Sequence, residues 1–286
     1  MLLFAFALAL VSTFVGAAQD GEQCRSQHQS ASLLGSRPQI LLFGDSITEY
    51  STGSFGWATE LSQLFSRKAD IIIRGYSGYN SAIAWSMLQQ STGIFPHGDG
   101  DRTLMLVFFG ANDAAAPDYH MHVPVDEYGD NLRSIVRRSK ETMPGITVVL
   151  VSPPPIDEEK LMQFDWYAGR STELAGAYAE EAARAARDEG AIFLDIHTLM
   201  VNKPDWKPFL SDGLHLSPIG QAFVVEELLR VLLTHAPSWI PDRMPMHYPW
   251  HIDTFKTLDH EGQRDAKICP WPDADSKQYC FHRMAK

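Results

Sequence analysis

The order of apolar segments along the 286-residue chain constrains its fold more than any other feature of the sequence. Short apolar runs alternate with longer segments that have the spacing of amphipathic helices. Runs of this length and composition are typical of strands that are buried on both faces of a sheet. The predicted strands are Gln39–Phe43, Asp70–Arg74, Leu104–Phe109, Thr147–Val151 and Ala191–Asp195.

The segments between and after these strands are predicted to be helices. In one of them, apolar residues recur every fourth position from Leu174 to Ala186, charged side chains fill the other face, and Gly190 follows as a stop signal. Strands that alternate with helices form a parallel sheet with helices on both faces, so we expect an α/β fold. The predicted helices are Trp57–Lys68, Ala82–Gln90, Val125–Thr142, Thr172–Asp188 and Pro218–Leu233.

The charge and length of the chain limit its classes of function and its number of domains. The formal net charge is −11, which argues against binding to nucleic acid or to an anionic membrane surface. The length allows one domain of about 200 residues with extensions at both ends. We therefore predict a single globular domain over residues 38–234.

The first residues of the chain have the composition of a targeting segment. Leu2–Ala18 is almost entirely apolar or small and contains no charged residue. Residues 1–18 are therefore predicted to be a signal peptide, which implies a secreted or lumenal protein without stable membrane insertion. The alternative is an uncleaved membrane anchor, although 17 residues are marginal for spanning a bilayer. Residues 19–37 are polar and are predicted to form a flexible lead-in.

The composition changes again at the C-terminal end. Six prolines after residue 234 exclude a long helix, so residues 235–286 are predicted to be a Pro/Trp-rich extension that packs on the domain through its aromatic side chains. In an oxidising compartment, Cys269 and Cys280 could form a disulfide, which leaves Cys24 free or paired with another chain. The cysteine spacing matches no zinc site.

Chemically useful residues follow the ends of three predicted strands. Ser46, Gly78 and Asn112 occupy these positions, and the carboxyl ends of parallel strands meet at the edge of the sheet where ligands bind. Asp212 and His215 are three residues apart, so one turn of chain can hold the carboxylate against the imidazole. A serine becomes a useful nucleophile when a third group orients its base. These residues together predict a serine hydrolase that acts on small esters.

Four short segments contain these residues and support a family resemblance. They are Gly-Asp-Ser-Ile-Thr from residue 44, Gly-Tyr-Ser-Gly-Tyr-Asn from residue 75, Gly-Ala-Asn-Asp from residue 110 and Asp-Gly-Leu-His from residue 212. Their order and spacing resemble the SGNH branch of the GDSL hydrolases, and most closely the isoamyl acetate-hydrolysing esterase group. The proline run Ser152–Glu159 and the segment Leu210–Pro218 also look characteristic of that group. The resemblance covers about Pro38 to Leu233 and implies a three-layer α/β/α, flavodoxin-like fold with a parallel five-stranded sheet.

The resemblance also implies a role for each motif residue. Ser46 would be the nucleophile, His215 the base that takes its proton, and Asp212 the acid that orients the imidazole. The backbone N–H groups of Ser46 and Gly78 and the side-chain amide of Asn112 would hold the oxyanion of the tetrahedral intermediate. Such an enzyme needs no metal and no organic cofactor, and its implied substrates are short-chain esters such as acetates of small alcohols.

Several other features have structural interpretations. Asp45 and Asp113 are expected to hydrogen-bond nearby backbone. The sequence contains no Gly-x-Ser-x-Gly motif, which argues against the nucleophile elbow of an α/β-hydrolase. The acidic segment His97–Asp101 lacks the remaining ligands of a calcium loop. An intervening proline makes a helical metal site at His247 and His251 doubtful.

The sequence defines the substrate pocket and the natural substrate less well. Phe55, Trp57, Tyr76 and Tyr79 lie near the motifs and are candidates to line an acyl or alcohol pocket, or they pack helices against the sheet. Besides a short-chain esterase, the sequence fits an O-acetylesterase of a carbohydrate or glycan, or a non-catalytic binding protein on the same scaffold. A small ester is the partner expected, and the oligomeric state is left open.

Overall fold

The fold is built on one parallel sheet. A computed structural model describes residues 37–90 and 93–247 of the chain. The strands are β1 (Gln39–Gly44), β2 (Asp70–Gly75), β3 (Thr103–Phe108), β4 (Thr147–Val151) and β5 (Ile192–Leu194). Their order in the sheet is β2-β1-β3-β4-β5, and every neighbouring pair is parallel. This is the flavodoxin-like order that the family resemblance implied.

Helices connect the strands and cover both faces of the sheet. They are α1 (Ser46–Glu49), α2 (Trp57–Leu64), α3 (Ser81–Gln90), α4 (Val125–Thr142), α5 (Glu158–Leu161), α6 (Thr172–Glu189), α7 (Ile196–Val201) and α8 (Pro218–His235). None of the helices in the two described stretches has both the length and the apolar composition needed to cross a bilayer.

Alternating residues of each central strand supply two separate hydrophobic cores. In β3, Leu104 and Leu106 face the core formed with α2 and α8, whereas Met105 and Val107 face the core formed with α3, α4 and α6. All four side chains are buried, and complete burial of such a side chain contributes about 1.5–3 kcal/mol. The prediction of an α/β fold with three layers is therefore confirmed.

Local signals set the ends of several helices. Ser171 caps α6 by accepting a hydrogen bond from the Leu174 N–H at 3.0 Å, and Gly190 ends the same helix with a φ of 58°. The predicted helix Trp57–Lys68 is too long, because α2 ends at Leu64 and the chain then turns through a left-handed Arg67 with a φ of 63°.

The described beginning of the C-terminal extension lies against the domain. Trp239 is buried in the core that contains α8, and the Lys68 ammonium donates to the Pro241 carbonyl at 2.5 Å. The predicted signal peptide, the lead-in up to residue 36, the extension from residue 248 and the cysteines Cys24, Cys269 and Cys280 lie outside the described residues. The predictions made for those segments stay predictions.

Candidate active site

Ser46 is presented at the carboxyl edge of the sheet by the turn that follows β1. It is the first residue of α1, and Asp45 caps this helix by accepting a hydrogen bond from the Ile47 N–H at 2.9 Å. The Ser46 residue is 6% exposed, so its hydroxyl reaches a cavity while the surrounding chain is buried. The short helix therefore holds the serine in one orientation.

Asp212 and His215 lie in one tight turn that faces this serine. His215 Nδ1 is 2.7 Å from Asp212 Oδ2, and His215 Nε2 is 3.0 Å from Ser46 Oγ. Gly213 between them has a φ of 97°, a conformation that favours glycine, and a Cβ there would lie 2.6 Å from the Asp157 carbonyl oxygen. These distances fit the tautomer in which Nδ1–H donates to the carboxylate and Nε2 accepts from the serine.

The Asp212 carboxylate is held by more than the imidazole. Its Oδ1 accepts hydrogen bonds from the Leu214 N–H at 2.9 Å and the His215 N–H at 2.8 Å. Burial raises the pKa of Asp212, but the hydrogen bonds from the His215 side chain, the two backbone N–H groups and the charge of the imidazole outweigh it. The net effect is a pKa below the usual value for aspartate, so the group stays ionised and acts as an acceptor.

Gly78 and Asn112 reach the same cavity from two other loops. Gly78 has a φ of 79°, which the residue adopts without the strain that a Cβ would bring. Asn112 Nδ2 donates one hydrogen to the Tyr79 carbonyl at 2.8 Å, which leaves its second hydrogen for a molecule in the cavity. Asn112 Oδ1 accepts from Arg170 Nη2 at 3.1 Å. The structure therefore brings together all five motif residues that the sequence singled out.

The cavity in front of Ser46 has a volume of about 400 Å³ and is open to solvent. The rings of Tyr50 and Trp166 both lie against the His215 ring, with centroid distances of 5.2 and 5.5 Å. Tyr119, Met121 and Leu214 complete much of the remaining wall. A small, partly apolar cavity with a few convergent polar groups is the usual form of a binding site for a small molecule.

Comparison with known proteins agrees with this geometry. The family model described as "GDSL-like Lipase/Acylhydrolase family" matches residues 42–223. The chain belongs to this family. A GDSL esterase/lipase of Arabidopsis thaliana is 40% identical over 233 residues, which cover 75% of this chain and 93% of that protein. A rat (Rattus norvegicus) protein named "Isoamyl acetate-hydrolyzing esterase 1 homolog" is 37% identical over 232 residues, which cover 77% of this chain and 91% of the relative.

A solved structure shows that the fold is shared with more distant proteins. The lipase/acylhydrolase from Enterococcus faecalis superposes with a TM-score of 0.55 at 19% identity and covers 74% of this chain and 99% of its own. Together with the family match, the close relatives identify this GDSL hydrolase as a carboxylic ester hydrolase. The resemblance inferred from the four sequence motifs is thereby confirmed.

The aromatic residues proposed for the pocket lie elsewhere in this GDSL hydrolase. Phe55 is 74% exposed, and Trp57 is fully buried, with its indole N–H donating to the Ile47 carbonyl at 3.1 Å. Tyr76 and Tyr79 stack on each other with centroids 5.3 Å apart and pack against the core on the α3 side of the sheet. The assignment of these four residues to the pocket is therefore replaced by Tyr50, Tyr119 and Trp166, which line the cavity.

Two buried carboxyl groups lie behind the site and bond to backbone, as the sequence suggested. Asp45 caps α1, and Asp113 Oδ1 accepts from the Ser81 N–H at 2.9 Å at the start of α3. Burial is the main cause that raises the pKa of Asp45 to about 7 and that of Asp113 to about 6. In the described part of the chain, no group of three or more His, Cys, Asp or Glu side chains is placed to hold a metal ion.

Arg170 is a residue of the site that the sequence did not identify. It lies in the loop before α6, outside every motif, yet its guanidinium contacts the Ala111 carbonyl at 2.7 Å and Asn112 Oδ1 at 3.1 Å. The contact joins residues 58 positions apart in the chain. Neither periodicity nor motif spacing carries a signal for a contact between two loops, so it was not predictable from the sequence.

Proposed function

We propose that this GDSL hydrolase is a serine esterase whose catalytic triad is Ser46, His215 and Asp212. The observation that carries the proposal is the continuous series of hydrogen bonds from Asp212 Oδ2 through the imidazole to Ser46 Oγ, with distances of 2.7 and 3.0 Å. These are the distances that a nucleophile, its base and an orienting acid require.

In the first half of the reaction, Ser46 Oγ forms a bond to the ester carbonyl carbon while its proton moves to His215 Nε2. The tetrahedral intermediate then breaks its bond to the alcohol oxygen, which takes the proton back from Nε2 and leaves as the alcohol. The ionised Asp212 accepts from Nδ1–H and stabilises the positive imidazolium of the intermediate.

In the second half, a water molecule takes the place of the alcohol. His215 Nε2 removes its proton, the oxygen bonds to the acyl carbon, and the second tetrahedral intermediate breaks its bond to Ser46 Oγ. The proton on Nε2 returns to Ser46, and the carboxylic acid leaves. No electrons are gained or lost, so this sequence is complete with water as the only co-reactant.

The negative charge of both intermediates requires donors that are already in place. We propose the backbone N–H groups of Ser46 and Gly78 and the Asn112 amide as these donors, since the three residues line the cavity from three loops. One Asn112 N–H bonds to the Tyr79 carbonyl at 2.8 Å, which fixes the amide with its second N–H available. Such preorganised donors are the largest single contribution to many acyl-transfer rates.

The decisive experiment replaces Ser46 by alanine. The Ser46→Ala variant is expected to fold and to have no measurable turnover of p-nitrophenyl acetate, whereas the matched control Ser54→Ala, a change at an exposed serine, retains wild-type turnover. A fluorophosphonate probe should label the wild type and not Ser46→Ala. Full activity of the variant, or a folded wild type that neither reacts with the probe nor hydrolyses esters, would refute the proposal and favour a non-catalytic binding protein.

The substrates that we propose are short-chain carboxylic esters of the acetate type. The isoamyl acetate-hydrolyzing esterase homologue, at 37% identity, supports this choice, and so does a cavity of only about 400 Å³. A series of p-nitrophenyl esters from acetate to octanoate should give the highest kcat/KM at the short end. A maximum at octanoate would contradict the assignment.

A carbohydrate O-acetylesterase is the second candidate, and one observation favours it. Phe164 and Trp166 stack with centroids 4.8 Å apart, Trp166 lines the cavity, and Tyr50, which also lies against His215, is 51% exposed. Exposed aromatic faces beside a catalytic site are surfaces on which a sugar ring can pack. Acetate release from acetylated xylo-oligosaccharides at a higher kcat/KM than from isoamyl acetate would establish this alternative.

We also propose that residues 1–18 direct the protein into the secretory pathway and are removed. The support is the apolar, uncharged composition of Leu2–Ala18. Mass spectrometry of protein secreted from a eukaryotic host should show a chain that begins near residue 19. Recovery of the full-length chain in the membrane fraction would indicate an uncleaved anchor instead.

A further inference from the structure

Arg170 is a buried cation that lies beside the site and is 2% exposed. Its Nε donates to the Ala111 carbonyl at 2.7 Å, Nη1 to the Trp166 carbonyl at 2.8 Å and Nη2 to Asn112 Oδ1 at 3.1 Å. One side chain therefore connects the loop after β3 with the loop before α6. Two of its three nitrogen atoms contact the segment that carries Asn112.

The hydrogen-bond partners of Arg170 are uncharged, although the carboxyl group of Asp45 also acts on it electrostatically. They are backbone carbonyls, one side-chain amide and, more distantly, the Met121 sulfur at 3.9 Å, with the Tyr119 ring 5.8 Å from the guanidinium carbon. Buried charges in proteins are generally paired with an opposite charge, because their desolvation costs free energy. Burial lowers the pKa of Arg170, which reflects this cost. The fold therefore holds a charged donor against the Asn112 side chain despite the cost of desolvation.

We propose that Arg170 is a positioning residue that orients the Asn112 amide for stabilisation of the oxyanion. This inference rests on the proposed esterase function. Arg170 donates to Asn112 Oδ1 while the Tyr79 carbonyl accepts from Nδ2 at 2.8 Å. Both contacts place the amide nitrogen, rather than its oxygen, where it can donate into the cavity.

The orientation of this amide has a large effect on the reaction. A rotation by 180° would place Nδ2 against the guanidinium, Oδ1 against the Tyr79 carbonyl, and leave no donor for the developing negative charge. Each mismatched buried polar group costs about 1–3 kcal/mol, so the two contacts make the rotated state rare. A charged donor at Oδ1 also draws electron density from the amide and strengthens its N–H groups as donors.

A double-mutant cycle tests whether Arg170 acts through Asn112. The variants are Arg170→Met, Asn112→Ala and the double variant, with kcat and KM measured for p-nitrophenyl acetate. Asn112→Ala is expected to lower kcat by about 10²–10³, the usual effect of losing one oxyanion donor. Arg170→Met is expected to lower kcat by about 10–100-fold, with KM changed by less than about threefold, because the amide acts on the transition state.

The double variant decides the question. If Arg170 acts through the Asn112 amide, the double variant should have a kcat within about twofold of that of Asn112→Ala alone. A twofold difference is about the scatter with which the effects of independent mutations add. If the two losses multiply instead, Arg170 acts independently of Asn112 and the proposal is overturned. Should Arg170→Met fail to fold, Arg170→Lys, which keeps the charge but loses the planar arrangement of donors, completes the same cycle.

A matched control separates positioning from a general effect of removing an arginine. Arg133 forms ion pairs with Glu181 at 2.9 Å and Asp188 at 2.8 Å between α4 and α6, away from the cavity. Arg133→Met should lower the thermal midpoint but leave kcat within about twofold of the wild type. Activity in Ser46→Ala would refute the esterase mechanism itself, whereas an inactive Ser46→Ala combined with multiplying losses would refute only the role of Arg170.

Discussion

Replacement of Asp212 by asparagine should move the ring proton of His215 from Nδ1 to Nε2. Asp212 Oδ1 accepts from two backbone N–H groups at 2.9 and 2.8 Å, so the oxygen of an asparagine is expected to keep those bonds. Its NH₂ group then takes the place of Oδ2, which lies 2.7 Å from His215 Nδ1. Two donors cannot share that contact, so the ring proton moves to Nε2 and faces Ser46 Oγ at 3.0 Å. In this tautomer, His215 cannot take the proton of the serine.

The magnitude follows from the same contacts. Turning the new amide around would restore the working tautomer but would set its NH₂ group against two backbone donors, at a cost of about 2–6 kcal/mol. The neutral amide would also no longer stabilise the imidazolium. We therefore expect Asp212→Asn to lower kcat by about 10³–10⁴, which is about 4–5.5 kcal/mol of additional barrier. This loss is smaller than that of Ser46→Ala, since the nucleophile and the oxyanion donors remain.

The assay is the steady-state hydrolysis of p-nitrophenyl acetate, with circular dichroism and thermal unfolding as checks of the fold. Asp205→Asn, at an exposed aspartate, is the matched control and should retain wild-type kcat. A folded Asp212→Asn enzyme with kcat within about tenfold of the wild type would show that the acid does not set the tautomer of His215. The mechanism in its present form would then be wrong.

Three further predictions concern pH dependence, stability and specificity. Burial raises the pKa of Asp45 to about 7, so the folded state keeps a proton that the unfolded state releases above about pH 4. The contribution of this group to the free energy of unfolding is therefore complete at low pH and is lost as the pH rises through 7. In urea unfolding, the wild type should therefore lose up to about 3 kcal/mol relative to Asp45→Asn between pH 5 and pH 8, and an unchanged difference would contradict the raised pKa. Trp57→Phe should cost about 2–4 kcal/mol of unfolding free energy, since it leaves the buried Ile47 carbonyl without its indole donor and opens a void; a loss below about 1 kcal/mol in the same assay would argue against that contact. Trp166→Ala should widen the cavity and raise the butyrate-to-acetate ratio of kcat/KM about tenfold, whereas an unchanged ratio would show that Trp166 does not limit the acyl chain.

The sheet could be predicted from the sequence because its central strands are buried on both faces. Every residue of β3 is buried, so the run of apolar side chains marks the strand without any alternation. The end of α2 was predicted four residues too late, since the helical pattern continues past Leu64, whereas the backbone leaves the helix at Phe65 and then passes through the left-handed Arg67. Such a backbone angle at a non-glycine residue has no sequence signal.

The site could be predicted only in part, for a related reason. Short motifs mark Ser46, Gly78, Asn112, Asp212 and His215 in the sequence. The walls of the cavity carry no such motif, because Trp166 and Arg170 come from a loop whose path depends on the whole fold, and Tyr50 follows the short helix α1. Trp57 illustrates the opposite case, since this bulky aromatic residue near a motif is buried in the core and donates to the Ile47 carbonyl instead of lining the cavity.

The turn that carries the acid and the base is closed by bonds within itself, and the Asp157 N–H fastens it to the domain by donating to the Gly213 carbonyl at 2.9 Å. Leu210 and Leu216 pair across it as an antiparallel bridge, and the Ser211 N–H donates to the His215 carbonyl at 2.8 Å. Seven consecutive residues thus hold the acid Asp212 and the base His215 together, whereas Ser46 lies 169 positions away from His215 in the chain. Warming that loosens the packing between loops should therefore separate Ser46 from His215 while Asp212 and His215 remain joined, so enzymatic inactivation would precede the melting of that turn.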